Sequence, residues 1–418
     1  LITMDGKAWQ FHLVSICFCR LCSTILRSPQ ISGAVRLSKD DSRKFHQIKT
    51  CLESEPSINQ MTHWSGPGSY AGTTSKGPFR PNSIFILLPA RLEALMPLFG
   101  NKPTRVFFTT DLHGSTVVFK KFINAGKFYE AQILILGGDM IGKMIVPIVN
   151  QGSGRFTANY LGKLYDLVEG EELDKLEMIF ENSGLYPVRL SPEEVQAYKD
   201  NRSLVEKRFA ELAKERLSRW LDVAEERLRG TGIRCYVQPG NDDPYEVDSV
   251  FRSSEIIQNV DGRLIQLDDN HEMINVGAAN QTPWNCPRDK TEAELEEMIE
   301  KVAAQVKNPS QAVFNLHVPP YNTNLDIAPE LDDNLTPKLS LSGGFKMIPV
   351  GSKAVRKMIE KYQPLISLHG HIHESRFAQK LGKTMCVNPG SEYGEGILRG
   401  VVLELSHKGL DSYTFTQN

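Results

Sequence analysis

Residues 106–114 read VFFTTDLHG, an apolar run that ends on Asp111, His113 and Gly114. The same arrangement recurs along the chain. Residues 133–137 lead to Asp139 in LILGGDM, 233–238 to Asn241 in QPGNDD, 312–316 to His317 in FNLHVPP, and 365–368 to His371 and His373 in LHGHIHE. Each run has the length and content of a buried strand. Open α/β sheets gather ligand-binding groups at the carboxyl ends of their strands. Asp, Asn and His side chains placed at such ends are what one metal centre assembled from distant segments requires.

Spacing supports that reading. Asp111-Leu112-His113 and His371-Ile372-His373 place two donors at i and i+2, and in extended chain these point to the same side. Gly114, Gly138, Gly240 and Gly370 stand beside the candidate ligands, where the backbone must turn sharply or approach closely. A carboxylate such as Asp139 can bridge two cations. Imidazole nitrogen mixed with carboxylate and amide oxygen favours Mn²⁺, Fe or Zn²⁺ over Ca²⁺. An isolated Asp-x-His is more often a strand end; the ordered series D-x-H, GGD, GN, apolar-H and GH-x-H carries the argument.

Composition sets the bounds. The 418 residues suffice for one large α/β domain with insertions, and 40% hydrophobic with 23% charged residues is ordinary for a globular chain. A formal net charge of −2 leaves no electrostatic footprint for nucleic acid or an anionic membrane. No apolar run reaches the roughly 18 residues of a membrane-spanning helix. The seven cysteines do not read as a disulfide framework, so a cytoplasmic setting is expected.

Residues 1–100 read as a largely irregular leader, rich in Ser, Gly, Thr and Pro over 54–83. Cys17, Cys19 and Cys22 have no second ligand cluster that would complete a zinc site, and Arg20 interrupts the short apolar run 11–19. Met96 precedes the first convincing strand, which gives the expectation that the native product starts near it. From 104 the pattern alternates strand and helix, as in a sheet covered by helices. Runs 144–149 and 155–161 read as a hairpin, followed by a helical insertion over about 162–230 with Ser191 as a helix cap. Thr291 to Val306 and 352–362 read as helices; 263–267, 273–276, 384–387 and 400–405 read as strands. Residues 406–418 form a tail or a last strand.

The ordered series resembles the calcineurin-like metallophosphoesterase superfamily over residues 104–405, and NPGS at 388–391 matches a turn of its small bacterial members. PGNDDP at 239–244 and NQTPWNCPR at 280–288 look most like its bacterial and archaeal branch of predicted phosphoesterases. The resemblance implies a four-layer αββα sandwich. It implies two divalent metal ions, Mn²⁺ before Fe or Zn²⁺: one held by Asp111, His113, Asp139 and His373, the other by Asp139, Asn241, His317 and His371. It further implies hydrolysis of a phosphomonoester or phosphodiester on a small phosphorylated substrate. Two cations about 3.5–4 Å apart stabilise the phosphoryl oxygens and activate a water for in-line attack.

One departure bears on catalysis. Most active members read GN-H, with that His protonating the leaving oxygen; here the position is Asp242. A carboxylate beside two cations is a poor acid at neutral pH. Asp242, with Asn241, is read as a catalytic-site residue that holds a water or ligand, with a bias toward good leaving groups. The second acid of GD-x-x-D is replaced by Gly142. His369 reads as a core or supporting histidine, and His271 as a surface strand residue. Arg288 is a candidate phosphate clamp, and Pro283-Trp284 either lines the pocket or anchors a loop. Cys235 and Cys386 read as packing residues. The competing reading is a metal-containing scaffold for a protein partner, favoured by the loss of His at 242. Nucleic-acid cleavage is disfavoured by the absence of a basic run.

Overall fold

A computed structural model of the chain describes residues 102–340 and 343–418. The leader, its cysteine cluster and Met96 lie outside the described residues. Strand β1 (Thr104–Thr109) shows how the architecture arises. Val106 and Phe108 enter one apolar cluster and Phe107 another, as the two-residue period of a strand dictates. Strand β2 (Ile133–Leu136) divides the same way, Ile133 and Ile135 against Leu134 and Leu136. Strands apolar on both faces must be covered on both.

β1 and β2 run parallel with β7 (Arg234–Val237) and β8 (Ile257–Asn259), while β19 (Arg399–Ser406) and β20 (Gly409–Gln417) extend the other edge antiparallel. This six-stranded sheet has the order β20-β19-β1-β2-β7-β8. Residues 406–418 therefore complete the sheet instead of trailing from it. A second six-stranded sheet is built from β9 (Leu264–Gln266), β10 (Glu272–Val276), β13 (Val313–Leu316), β16 (Ile366–Leu368), β17 (Phe377–Leu381) and β18 (Thr384–Asn388). Its strands β10, β13, β16 and β18 are mutually parallel, with antiparallel edges.

The inner faces meet in one core, where Val106, Phe108, Ile133 and Ile135 join Met273, Val313, Ile366 and Val387. On the outer face of the first sheet lie α1 (Thr116–Phe128) and the 27-residue α4 (Arg202–Leu228), joined by Phe119 stacked on Trp220 at 4.2 Å. The second sheet is covered by α5 (Glu292–Ala303), which opens on a Thr291–Glu294 capping box, and α6 (Lys353–Tyr362). The result is the expected α/β sandwich of four layers. Two short pairs, β11 (Ala279–Asn280) with β12 (Asp289–Lys290) and β14 (Ile327–Pro329) with β15 (Met347–Pro349), lie in the connections of the second half.

The insertion differs from expectation. β3 (Ile145–Gly152) and β4 (Arg155–Tyr160) form the anticipated hairpin, but β5 (Lys163–Val168) adds to it and β6 (Tyr186–Leu190) pairs parallel to β3. Residues 162–230 thus complete a four-stranded sheet around α2 (Glu171–Asn182) before α3 (Pro192–Asp200) and α4 follow. Two features hid this from the sequence. β5 is largely exposed, with only Tyr165 and Leu167 packing against the apolar cluster of this sheet. β6 carries Pro187, which an edge strand tolerates because one side of its backbone needs no ladder bond. The Ser191 cap is present, as a full capping box with Glu194. Among the described residues, no helix is long and apolar enough to cross a membrane.

Candidate metal centre

β1, β2 and β7 deliver Asp111 and His113, Asp139, and Asn241 just beyond their carboxyl ends; β13 and β16 deliver His317, and His371 with His373. Hydrogen bonds continue past the strands and fix these loops on one another. Asp111 N donates to Gly138 O, His113 N to Asp139 O, and Gly370 N to His317 O, at 2.8–3.0 Å. Asp111, His113, Asp139 and His371 all adopt positive φ, between 39° and 67°. That conformation is costly for non-glycine residues, and such strain collects at functional sites. Glycine is sterically required beside the candidate ligands: a Cβ on Gly240 would lie 2.1 Å from Asp139 Oδ1, and one on Gly370 2.3 Å from Asp111 Oδ2.

Donor atoms fall into adjacent triads, Asp111 with His113 and His373, and Asp139 with His317 and His371, each within 4.8 Å. His113 Nε2 faces His373 Nε2 at 3.1 Å. Asp139 Oδ2 lies between the triads, 3.6 Å from His113 Nε2 and 3.5 Å from His317 Nε2. Asn241 donates through Nδ2 to Asp289 at 3.0 Å, and its buried Oδ1 has no hydrogen-bond partner among the described residues. His317 Nδ1 is engaged by Gly137 O, which aims Nε2 inward. Converging carboxylates and imidazoles with an orphaned amide oxygen suit a divalent metal ion.

Charge within the cluster is finely opposed. Burial works against the Asp111 carboxylate, but His373, His317 and the Thr110 hydroxyl overcome it and hold the group below the usual carboxylate range. Burial raises Asp139. His317 is lowered by burial, yet Asp139 and Asp111 hold it up to about 9. Burial, then the charge of His317, pushes His371 down to about 3.

Several further residues support the candidate ligands. Buried Asp243 accepts from the N–H groups of Met140, Ile141 and Gly240, tying the GGD loop to the GN loop. Burial pushes its carboxyl up to about 7. Asp289 gathers Asn241, Thr282 and the Cys286 amide, so it shapes the 281–288 loop. Tyr393 packs its ring 4.8 Å from that of His113. Asn388 and Ser391 of the NPGS turn bond to the Ile372 and Asp111 carbonyls. Asp242 sits at the rim: Lys143 Nζ lies 2.7 Å from one carboxylate oxygen, and the Cys286 thiol donates to the other at 2.8 Å.

Other candidates resolve differently. His271 is buried, not a surface residue, because the 268–271 turn folds its ring onto Asp268 at 2.7 Å. Arg288 is no phosphate clamp, since its buried guanidinium is taken up by the Asp243 carbonyl and the Asp248 carboxylate. His369 is a core histidine bonded to the Leu316 and Val318 carbonyls. Cys235 and Cys386 are buried packing residues. Pro283 is exposed and Trp284 half-buried. Gly142 is needed where it stands, because a Cβ would meet Gly184 O at 2.1 Å.

No protein-family model matches the chain. An uncharacterised protein of Methanocaldococcus jannaschii is 39% identical over 153 residues, 36% of this chain. The chain spans 61% of the length of that curated relative. Among solved structures, a protein of Thermus thermophilus aligns over 75% of this chain and 98% of its own, at 12% identity and a TM-score of 0.42. A structure described as an archaeal phosphodiesterase aligns over 75% of this chain and 99% of its own, at 12% identity and a TM-score of 0.29.

Proposed function

We propose that the chain is a metal-dependent phosphoesterase with a dinuclear centre, Mn²⁺ before Fe or Zn²⁺, acting on a small phosphomonoester or phosphodiester. The carrying observation is the position of Asp139 Oδ2, nearly equidistant from an imidazole of each triad. One oxygen placed so can be shared by two ions. Asp111, His113, Asp139 and His373 would hold the first, and Asp139, Asn241, His317 and His371 the second. When bound, such a pair stabilises charge on the phosphoryl group and makes water nucleophilic at neutral pH.

The chain's own residues do the rest. Thr110 donates to Asp111 at 2.7 Å and orients it, and the Asp242 N–H does the same for Asp139 at 3.1 Å. No protein nucleophile is needed. Asp242 already accepts from Lys143 and the Cys286 thiol, which disfavours it as a proton donor to a leaving oxygen, so esters with good leaving groups are the favoured substrates.

The same position favours the second reading, a metal-containing scaffold that binds a protein partner. The two readings separate on the full chain incubated with Mn²⁺ and bis-p-nitrophenyl phosphate or p-nitrophenyl phosphate. Metal-dependent turnover that disappears in His317→Ala is expected. Absence of turnover, with stability still lost in that variant, would support the scaffold.

A further inference from the structure

The loop between Asp139 and β3 carries a side chain that the ligand set does not use. Lys143 brings its ammonium 2.7 Å from Asp242 Oδ2, and that oxygen is 3.9 Å from His113 Nδ1. The Asp242 amide in turn touches Asp139, so the cation stands one residue away from the shared carboxylate. The Lys143 side chain is 26% exposed.

Its mounting is rigid. Met140 N and Ile141 N are tied to Asp243, and Gly142 N donates to the Tyr186 hydroxyl at 3.0 Å. Tyr186 lies under the Arg216 guanidinium at 4.2 Å, and Arg216 also bonds the Gly114 and Leu185 carbonyls. Consecutive amides are therefore fixed immediately before Lys143. Asp242 is held from both sides, by Lys143 on one oxygen and Cys286 on the other. A surface ion pair needs no such support; a cation that must meet a ligand at a set place does.

We propose that Lys143 is a substrate-binding residue whose ammonium contacts a non-bridging oxygen of the phosphoryl group beside the metal centre. This rests on the phosphoesterase reading. An ammonium has three donors, and Asp242 takes one. The lysine also offsets the Asp242 carboxylate, which alone would repel an incoming anion. It acts as a point charge, a common use of lysine at phosphate sites.

The test titrates inorganic phosphate into the Mn²⁺-loaded full chain as wild type, Lys143→Met and Lys143→Arg, with metal content and thermal melting measured in parallel. Lys143→Met is expected to bind phosphate about tenfold more weakly at unchanged metal content, the loss of one charge-assisted contact. Lys143→Arg is expected to keep most of the affinity, and the difference between wild type and Lys143→Met to shrink at high salt. If Lys143→Met does not fold, Lys143→Gln reads the same loss. Phosphate affinity equal to wild type, or metal lost in step with phosphate, would overturn the assignment. Wild-type turnover separates the two ideas: a chain that binds phosphate through Lys143 but hydrolyses nothing keeps this inference and removes the hydrolase. Turnover with unchanged phosphate affinity in Lys143→Met does the reverse.

Discussion

Asp242 stands where the resemblance implies a histidine acid, and its surroundings describe a different task. Its carboxylate bridges an ammonium and a thiol, and its amide braces Asp139. A true general acid contributes about 10²–10⁴-fold. Asp242→Asn keeps the amide and the shape, so turnover of an aryl phosphodiester is expected to stay within about tenfold of wild type. A hundredfold or greater fall would make Asp242 part of the proton-transfer chemistry. His317 yields a pH dependence. Held up to about 9, it is an imidazolium at neutral pH, and a cation must displace that proton to bind. Mn²⁺ affinity is therefore expected to rise with pH between 6 and 9, by up to about tenfold per unit for one released proton. Calorimetric titration at several pH values checks this, and an affinity flat across that window would contradict it.

Element-scale support comes mainly from α4. Arg216 sits inside this helix with its guanidinium buried against the Gly114 and Leu185 carbonyls, so the insertion is clamped to the loop that carries His113. Arg216→Met strands both carbonyls, and about 2–4 kcal/mol of stability is expected to be lost. Urea unfolding measures it; a change below about 0.5 kcal/mol, as for an ordinary surface site, would show that the clamp is not structural. The sequence announced a helical insertion over about 162–230, but nothing in it marked Arg216 as an inward-facing charge. The strands that carry the candidate ligands were legible because they are apolar on both faces and end in metal-type side chains. β5 and β6 were not, one for its exposure and the other for its proline.

For the whole molecule, the two parallel strand sets point their carboxyl ends to a common place, and this brings together segments far apart in the chain. The sequence pointed to the candidate ligands because the chemistry of Asp, Asn and His at strand ends is local. It did not disclose Lys143, Asp243 or Asp289, because their roles exist only once separate loops lie side by side. Left-handed backbone at Asp111, His113, Asp139 and His371 is likewise a product of assembly, with no signature in residue type. The central claim is that one carboxylate serves two ions. Metal analysis of the full chain after equilibrium with Mn²⁺ tests it directly, with Asp139→Asn alongside. The expected result is about two ions per chain in the wild type and weakened retention of both in the variant. A wild type that holds a single ion, or an Asp139→Asn chain that still holds two with undiminished affinity, would contradict it.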